Sequence, residues 1–84
     1  MKSDLESVPN LGAKSAAMLR EAGILNRHQL EKMGPVASFL AVKRVQKNVS
    51  LNLLWAIDAG LRNEHWQSMS PHRKAALIRE LEDF

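Results

Sequence analysis

Apolar residues recur along this chain at the three- and four-residue spacing of helices that bury one face. The first such stretch runs from Ala13 to Ala22, and Gly23 behind it fits a left-handed helix end. Later stretches keep this spacing, and their apolar positions are Val36, Phe39, Leu40, Val42 and Val45, then Leu51, Leu54, Trp55 and Leu61, and finally Ala75, Leu77, Ile78 and Leu81. No stretch alternates apolar and polar residues between hairpin turns, so the pattern predicts helices and no sheet.

Capping residues, glycines and prolines predict where each helix begins and ends. Asn26, Ser50 and Ser70 are the expected N-caps, and Gly34 separates two helices. The expected segments are a short turn from Asp4 to Ser7 and helices from Ala13 to Ala22, Arg27 to Met33, Pro35 to about Gln46, Leu51 to Arg62, and Pro71 to about Glu82. Because the connections are short, we predict an all-α fold, one compact domain over residues 1–84 with about five short helices.

Size and composition exclude several classes of protein. With 84 residues the chain can form one small core, and without cysteine it cannot carry disulfides, a thiol nucleophile or a cysteine zinc site. The N-terminus lacks the apolar region of a secretory signal, and the longest apolar stretch, Leu51 to Ile57, is too short to span a membrane. We therefore expect a cytoplasmic protein that does not associate with membranes.

The net charge of +3 is unevenly distributed along the chain. Residues 1–47 contain eight Lys or Arg against four Asp or Glu (+4), whereas residues 48–84 contain four against five (−1). A basic N-terminal half fits a weak nucleic-acid footprint, and it fits an ordinary solvated surface equally well.

The turn before the first helix carries the strongest functional signal. Residues 8–24 read VPNLGAKSAAMLREAGI and resemble one hairpin of the helix-hairpin-helix families, which hold nucleic-acid phosphates with free backbone N–H groups. Asn10 stands where those hairpins carry their first glycine, and it tolerates a left-handed backbone better than most residues. Lys14 lies in the first helical turn, where a cation is unfavourable by about 0.3–1 kcal/mol unless an anion balances it. The candidate phosphate-binding residues are Asn10, Gly12, Lys14 and Ser15, and the alternative is a structural turn that connects two helices.

A second basic cluster consists of Lys43, Arg44 and Lys47, near the predicted end of a helix. Cations at this end are already favoured by the helix dipole, so the cluster is either a supporting nucleic-acid contact or an ordinary helix terminus. The two tryptophans are predicted to pack in the core, Trp55 beside Leu54 and Trp66 against the last helix, rather than to stack on bases.

Catalytic and metal-binding patterns are missing from the sequence. The three histidines, His28, His65 and His72, do not form a two-histidine helical ligand pair, and no nucleophile elbow or phosphate-loop lysine motif occurs. We therefore expect a protein that is not an enzyme, with no catalytic residue, metal or cofactor.

The order of features resembles the C-terminal domain of the TfoX/Sxy family, bacterial regulators of natural competence. The resemblance extends from about Leu5 to Leu81, and its most specific part is the segment SLNLL at residues 50–54 with Trp66 downstream. It implies a helix-hairpin-helix-like (SAM-like) fold and transcriptional co-regulation with the cyclic-AMP receptor protein. Full-length family members have a separate N-terminal domain, so the sequence corresponds to an excised domain or to a stand-alone relative. The NLGxKS run at residues 10–15 is also similar to the hairpin in the last domain of bacterial RNA polymerase α subunits, a module that binds both DNA and transcription factors.

These observations predict a non-catalytic regulatory module. In the first hypothesis the turn contacts DNA phosphates without reading sequence, and the second basic cluster supports it. In the alternative, the hairpin or an apolar groove docks a regulator, such as the cyclic-AMP receptor protein or RNA polymerase, or a second copy of the chain, without direct DNA binding.

Overall fold

A computed structural model describes residues 4–84, and this part of the chain contains helices and no strand. The α-helices are α1 (Ala13–Glu21), α2 (Arg27–Val45), α3 (Leu51–Leu61) and α4 (Pro71–Asp83), and two short 3-10 helices span Asp4–Ser7 and Trp66–Ser68. The all-α prediction is confirmed. The number of α-helices is four rather than about five because the two helices expected on either side of Gly34 are one kinked helix, α2.

The helix ends lie where the sequence signals predict them. Asn26, Ser50 and Ser70 accept hydrogen bonds from the backbone N–H groups of the first turns of α2, α3 and α4. Gly23 has a φ of 91°, and the N–H of Ile24 donates to the carbonyl of Leu19, so α1 ends in the expected left-handed turn. Gly34 has a φ of 82° and ψ of 168°, a conformation outside the helix that kinks α2 directly before Pro35.

Helix α3 lies at the centre of the fold. Every residue from Leu53 to Gly60 is buried, and a helix that is apolar on nearly all sides is expected to be enclosed by its neighbours. The largest fully buried side chains come from the whole chain and include Leu5, Leu19, Ile24, Leu30, Phe39, Leu54, Ile57 and Leu77. Trp55 is 7% exposed, which confirms its predicted core position. The core therefore draws on all four α-helices.

Gly60 allows the segment before α1 to rest directly on α3. A Cβ atom at this position would lie 2.8 Å from Cγ1 of Val8 and would also overlap the carbonyl oxygen of Pro9. Only glycine leaves room for a backbone this close to a helix. The turn at residues 8–11 therefore packs directly against α3.

An ion pair links α3 to α4. Asp58 is 3% exposed, and Arg73 donates to both of its carboxylate oxygens, from Nη2 at 2.7 Å and from Nε at 3.2 Å. The hydrogen bond to Asp58 raises the pKa of Arg73 above its ordinary value. A two-point contact of this kind ties α4 to α3, because the buried carboxylate of Asp58 would be costly without a cation beside it.

Within residues 4–84, no helix is both long enough and apolar enough to cross a bilayer.

Candidate nucleic-acid interface

The turn that precedes α1 is well defined. The N–H of Leu11 donates to the carbonyl of Val8 at 3.1 Å, and the central residues are Pro9 and Asn10. Asn10 has a φ of 73°, the left-handed conformation that asparagine tolerates. Proline followed by a residue of positive φ is the pattern of a type II turn. Asn10 therefore forms the same kind of turn that a glycine would favour at this position.

The side chain of Asn10 ties this turn to a distant part of the chain. Its Nδ2 donates to the carbonyl of Glu64 at 2.8 Å, and its Oδ1 accepts from the N–H of Trp66 at 3.2 Å. Both ends of the amide are thus bonded to the backbone at the start of the second 3-10 helix. The structure gives Asn10 an anchoring role, and the groups left to face a ligand belong to α1.

Helix α1 begins without a side-chain cap. Its N-cap residue, Gly12, is extended and exposed, and it has no side chain to accept the first N–H groups. Within residues 4–84 the N–H groups of Ala13, Lys14 and Ser15 have no acceptor. The other three described α-helices each have a capping side chain. The first turn of α1 therefore has unbonded N–H groups of the kind that can hold an anion, and residues 4–84 leave it open.

A groove of about 530 Å³ lies against this open helix end. Lys14 and Ser15 line one side, and Ser50 and Asn52, from the N-terminus of α3, also line it. Other polar lining comes from Asn10, Gln46 and Asn48, and the apolar lining comes from Met18, Val49, Leu53, Ala56 and Trp66. The described lining contains no acidic residue. Two helix N-termini and one lysine thus contribute to one groove, a combination that favours a negatively charged ligand.

Asn52 is a groove residue that the sequence analysis did not place in the site. Its side chain is exposed, so its polar character among leucines needs no buried partner. Its backbone N–H donates to Oγ of Ser50 at 3.3 Å, which marks the first turn of α3. The available signal was the Ser-Leu-Asn sequence at a predicted helix start, but nothing in the sequence indicates that this helix start adjoins α1.

The cations of the chain fall into paired and unpaired groups. Arg27 lies 2.8 Å from Glu31, Arg62 lies 3.7 Å from Glu64, and Arg20 lies 3.9 Å from Glu6. Lys14 is exposed and forms no ion pair with any residue from 4 to 84. Its charge is therefore available to a ligand in the groove.

The second basic cluster lies beside the groove rather than within it. Lys43, Arg44 and Lys47 are exposed, are not part of the groove lining, and form no ion pair in the described part of the chain. Gln46, which does line the groove, donates from Nε2 to Glu21 at 3.2 Å. The three cations can therefore act on a long polyanion that extends past the groove, but not on a small ion bound at α1.

The two tryptophans have different surroundings. Nζ of Lys74 lies 5.7 Å from the centre of the buried Trp55 ring. Trp66 is half-buried, packs against the core and also lines the groove, and its ring stacks on His65 with centres 6.5 Å apart. Part of the Trp66 ring therefore forms apolar lining close to the open end of α1.

Comparison with known proteins identifies a family and a fold. The TfoX C-terminal domain family, a non-enzymatic kind of domain, matches residues 1–81. A crystal structure of an uncharacterized protein from Listeria monocytogenes superposes with a TM-score of 0.85 at 22% identity, over 96% of this chain and 92% of that one. At this identity the likeness shows a shared fold. None of the curated proteins compared with the chain is significantly similar to it.

Proposed function

Because this chain belongs to the TfoX C-terminal domain family, we propose that it is a non-catalytic regulatory module that contacts the phosphate backbone of DNA through the groove at α1. Such a contact holds transcription machinery near DNA and carries little sequence information of its own. The family supports the regulatory role, and the groove supports the phosphate contact.

The observation that carries the proposal is the uncapped first turn of α1. Unbonded N–H groups, the positive end of the helix dipole and the unpaired Lys14 are all at one place. A phosphate oxygen at that position would accept from the N–H groups and would balance the lysine, which otherwise opposes the dipole. The exposed Gly12 adds no side chain that would keep a phosphate from approaching the backbone.

Asn52 extends the contact to a second point. Its amide can donate to a neighbouring phosphate oxygen from the N-terminus of α3, on another side of the same groove. Lys43, Arg44 and Lys47 add charge beside the groove, where a duplex would continue. Asn10 acts indirectly, because its side chain holds the turn in place.

The test is a salt titration of binding to a labelled DNA duplex of random sequence. The logarithm of the affinity is expected to fall linearly with the logarithm of the salt concentration, and Lys14→Ala should reduce the slope by about 0.9, the value of one phosphate contact. Asn52→Ala should weaken binding roughly tenfold without changing the slope, because an uncharged donor releases no counterion.

Lys32→Ala is the matched control. Lys32 is also an exposed lysine without an ion pair in the described chain, but it lies on α2 and does not line the groove. Equal slopes for Lys14→Ala and Lys32→Ala would mean that the lysines act only through net charge. That result, or no detectable binding at low salt, would contradict the phosphate contact.

The apolar lining of the groove favours a second candidate function. Met18, Leu53 and Trp66 offer a surface that a phosphate backbone does not need, but that an apolar side chain of a protein partner would fill. In this alternative the groove docks a segment of a transcription protein, such as the cyclic-AMP receptor protein or RNA polymerase, without direct DNA contact.

One substitution separates the two candidates. Met18 is half-buried in the groove, and Met18→Lys would add a cation while removing apolar surface. The phosphate contact predicts stronger DNA binding by this variant. Docking of a protein segment predicts weaker binding to the purified cyclic-AMP receptor protein or RNA polymerase, measured by biolayer interferometry.

A further inference from the structure

A second concave surface lies at the kink in the middle of α2, away from the C-terminal end of that helix. This acidic cleft is formed by Met33–Ala37 at the kink of α2 and by Glu80, Asp83 and Phe84 at the end of α4, and its volume is about 370 Å³. Met33 is 43% exposed and Phe84 is 74% exposed, so large apolar side chains face solvent here. The described lining holds two carboxylates and no cation. The cleft therefore fits an apolar side chain flanked by positive charge.

A surface of that kind is present on the same chain. We call it the basic end, and it consists of Lys43, Arg44, Val45, Lys47 and Leu51. Val45 is 48% exposed and Leu51 is 40% exposed, both large fractions for apolar residues of a helical domain. The three cations have no ion-pair partner in the described chain, so their charge is not already used within the molecule.

Two groups of like charge lie at different places on the fold. Glu80, Glu82 and Asp83 lie together at the end of α4, and Lys43, Arg44 and Lys47 lie together near the end of α2; none of the six forms an ion pair within residues 4–84. Lys32 and Arg79 also form no ion pair there, but neither lines the acidic cleft. Surfaces of opposite charge, each with an exposed apolar centre, are complementary in the way that protein interfaces require.

The two surfaces are distinct patches and cannot meet within one molecule. Both include residues of α2, and the ten residue steps from Pro35 to Val45 separate them by about 15 Å along the helix at 1.5 Å per step. Contact between the acidic cleft of one copy and the basic end of another therefore joins different patches. Such a heterologous contact produces open chains of copies rather than a closed symmetric dimer.

We propose that copies of this chain associate head to tail, with the basic end of one copy seated in the acidic cleft of the next. A second copy is the occupant because the chain itself carries both complementary halves. Only about two apolar side chains on each side are available, so the interface is small and the association is weak and sensitive to salt. The inference does not depend on DNA binding.

Sedimentation equilibrium of the full chain tests this inference. At about 20 mM salt the average mass should rise toward twice the monomer mass of 9.4 kDa or beyond as the protein approaches about 1 mM, and it should return to the monomer mass at about 0.5 M salt. Phe84→Ser should reduce the association without any change in charge.

Charge-reversal variants identify the two surfaces. Lys43→Glu/Arg44→Glu/Lys47→Glu alters the basic end, and Glu80→Lys/Asp83→Lys alters the acidic cleft. Each variant alone should remain monomeric, because it presents two surfaces of like charge. A 1:1 mixture should regain the wild-type mass increase, since each altered surface then meets its complement on the other variant. This recovery also shows that both variants are folded.

Lys14→Glu serves as the control, because it reverses a charge in the groove and leaves both association surfaces unchanged. It should retain the mass increase while losing DNA binding, so that failure of one proposal is distinguishable from failure of the other. A wild-type chain that stays monomeric at low salt would overturn the inference. So would association that survives either reversal, or a mixture that does not recover.

Discussion

Gly60→Ala tests how the turn before α1 is held in place. In an exposed helix interior this substitution stabilises a protein by about 1 kcal/mol, because alanine has the higher helix propensity. Here the new methyl group would meet Cγ1 of Val8 at 2.8 Å and overlap the carbonyl oxygen of Pro9. A side-chain methyl can rotate away, but a backbone carbonyl can move only with the turn. Steric cost and propensity therefore act in opposite directions.

The steric cost is expected to be the larger of the two. Overpacking of a core typically costs about 1–3 kcal/mol, and contact with backbone places this site in the upper part of that range. The expected net destabilisation is about 1–2 kcal/mol, which lowers Tm by about 4–15 °C for a domain of this size. Urea unfolding followed by circular dichroism measures it directly.

Gly12→Ala is the matched control for the same chemical change. No atom lies within 4 Å of a Cβ built at Gly12, and its φ of −102° is accessible to alanine, so no steric cost arises. Its stability should change by only a few tenths of a kcal/mol to about 1 kcal/mol, through the weaker N-cap. A Gly60→Ala variant as stable as the wild type would refute the close approach of the turn to α3.

Three further predictions concern side chains inside the fold. Asp58→Asn should cost about 2–4 kcal/mol in urea unfolding, because it leaves Arg73 without its buried charge partner; since the pKa of Arg73 is raised, alkali should not weaken the pair until the pH reaches the unfolded arginine pKa. Ser38→Ala should be neutral or stabilising by up to about 1 kcal/mol, because the fully buried Ser38 hydroxyl has no hydrogen-bond partner within residues 4–84, and a loss of stability would disprove this. Asn10→Ala should be about 1 kcal/mol less stable than Asn10→Gly in thermal unfolding, because alanine disfavours the φ of 73°; equal stabilities would contradict a left-handed turn.

Local signals in the sequence were sufficient to place the helices. Asn26, Ser50 and Ser70 act on the N–H groups of the turns that follow them, and Gly23 and Gly34 act on their own backbone. Each of these effects acts within three or four residues along the chain, so the neighbouring sequence is sufficient to predict it. The number of helices differed only because the break at Gly34 bends the chain without separating two helices.

The composition of the groove could not be predicted in the same way. Lys14 and Asn52 are 38 positions apart in the sequence, and only the packing of α1 and α3 brings them to one groove. The same holds for Asn10, whose side chain bonds to backbone 54 and 56 positions away. The sequence identified the open helix start at Gly12 because that feature is local. The sequence did not indicate which residues would line the other side of the groove.

Amide chemical shifts of the labelled protein titrated with duplex DNA test the phosphate contact most directly. We expect the largest shifts at the N–H groups of Ala13, Lys14 and Ser15, with smaller shifts at Asn52, and we expect these shifts to disappear at high salt. Shifts confined to other surfaces, such as the cleft at Met33 and Phe84, would contradict it, and so would a spectrum that DNA leaves unchanged.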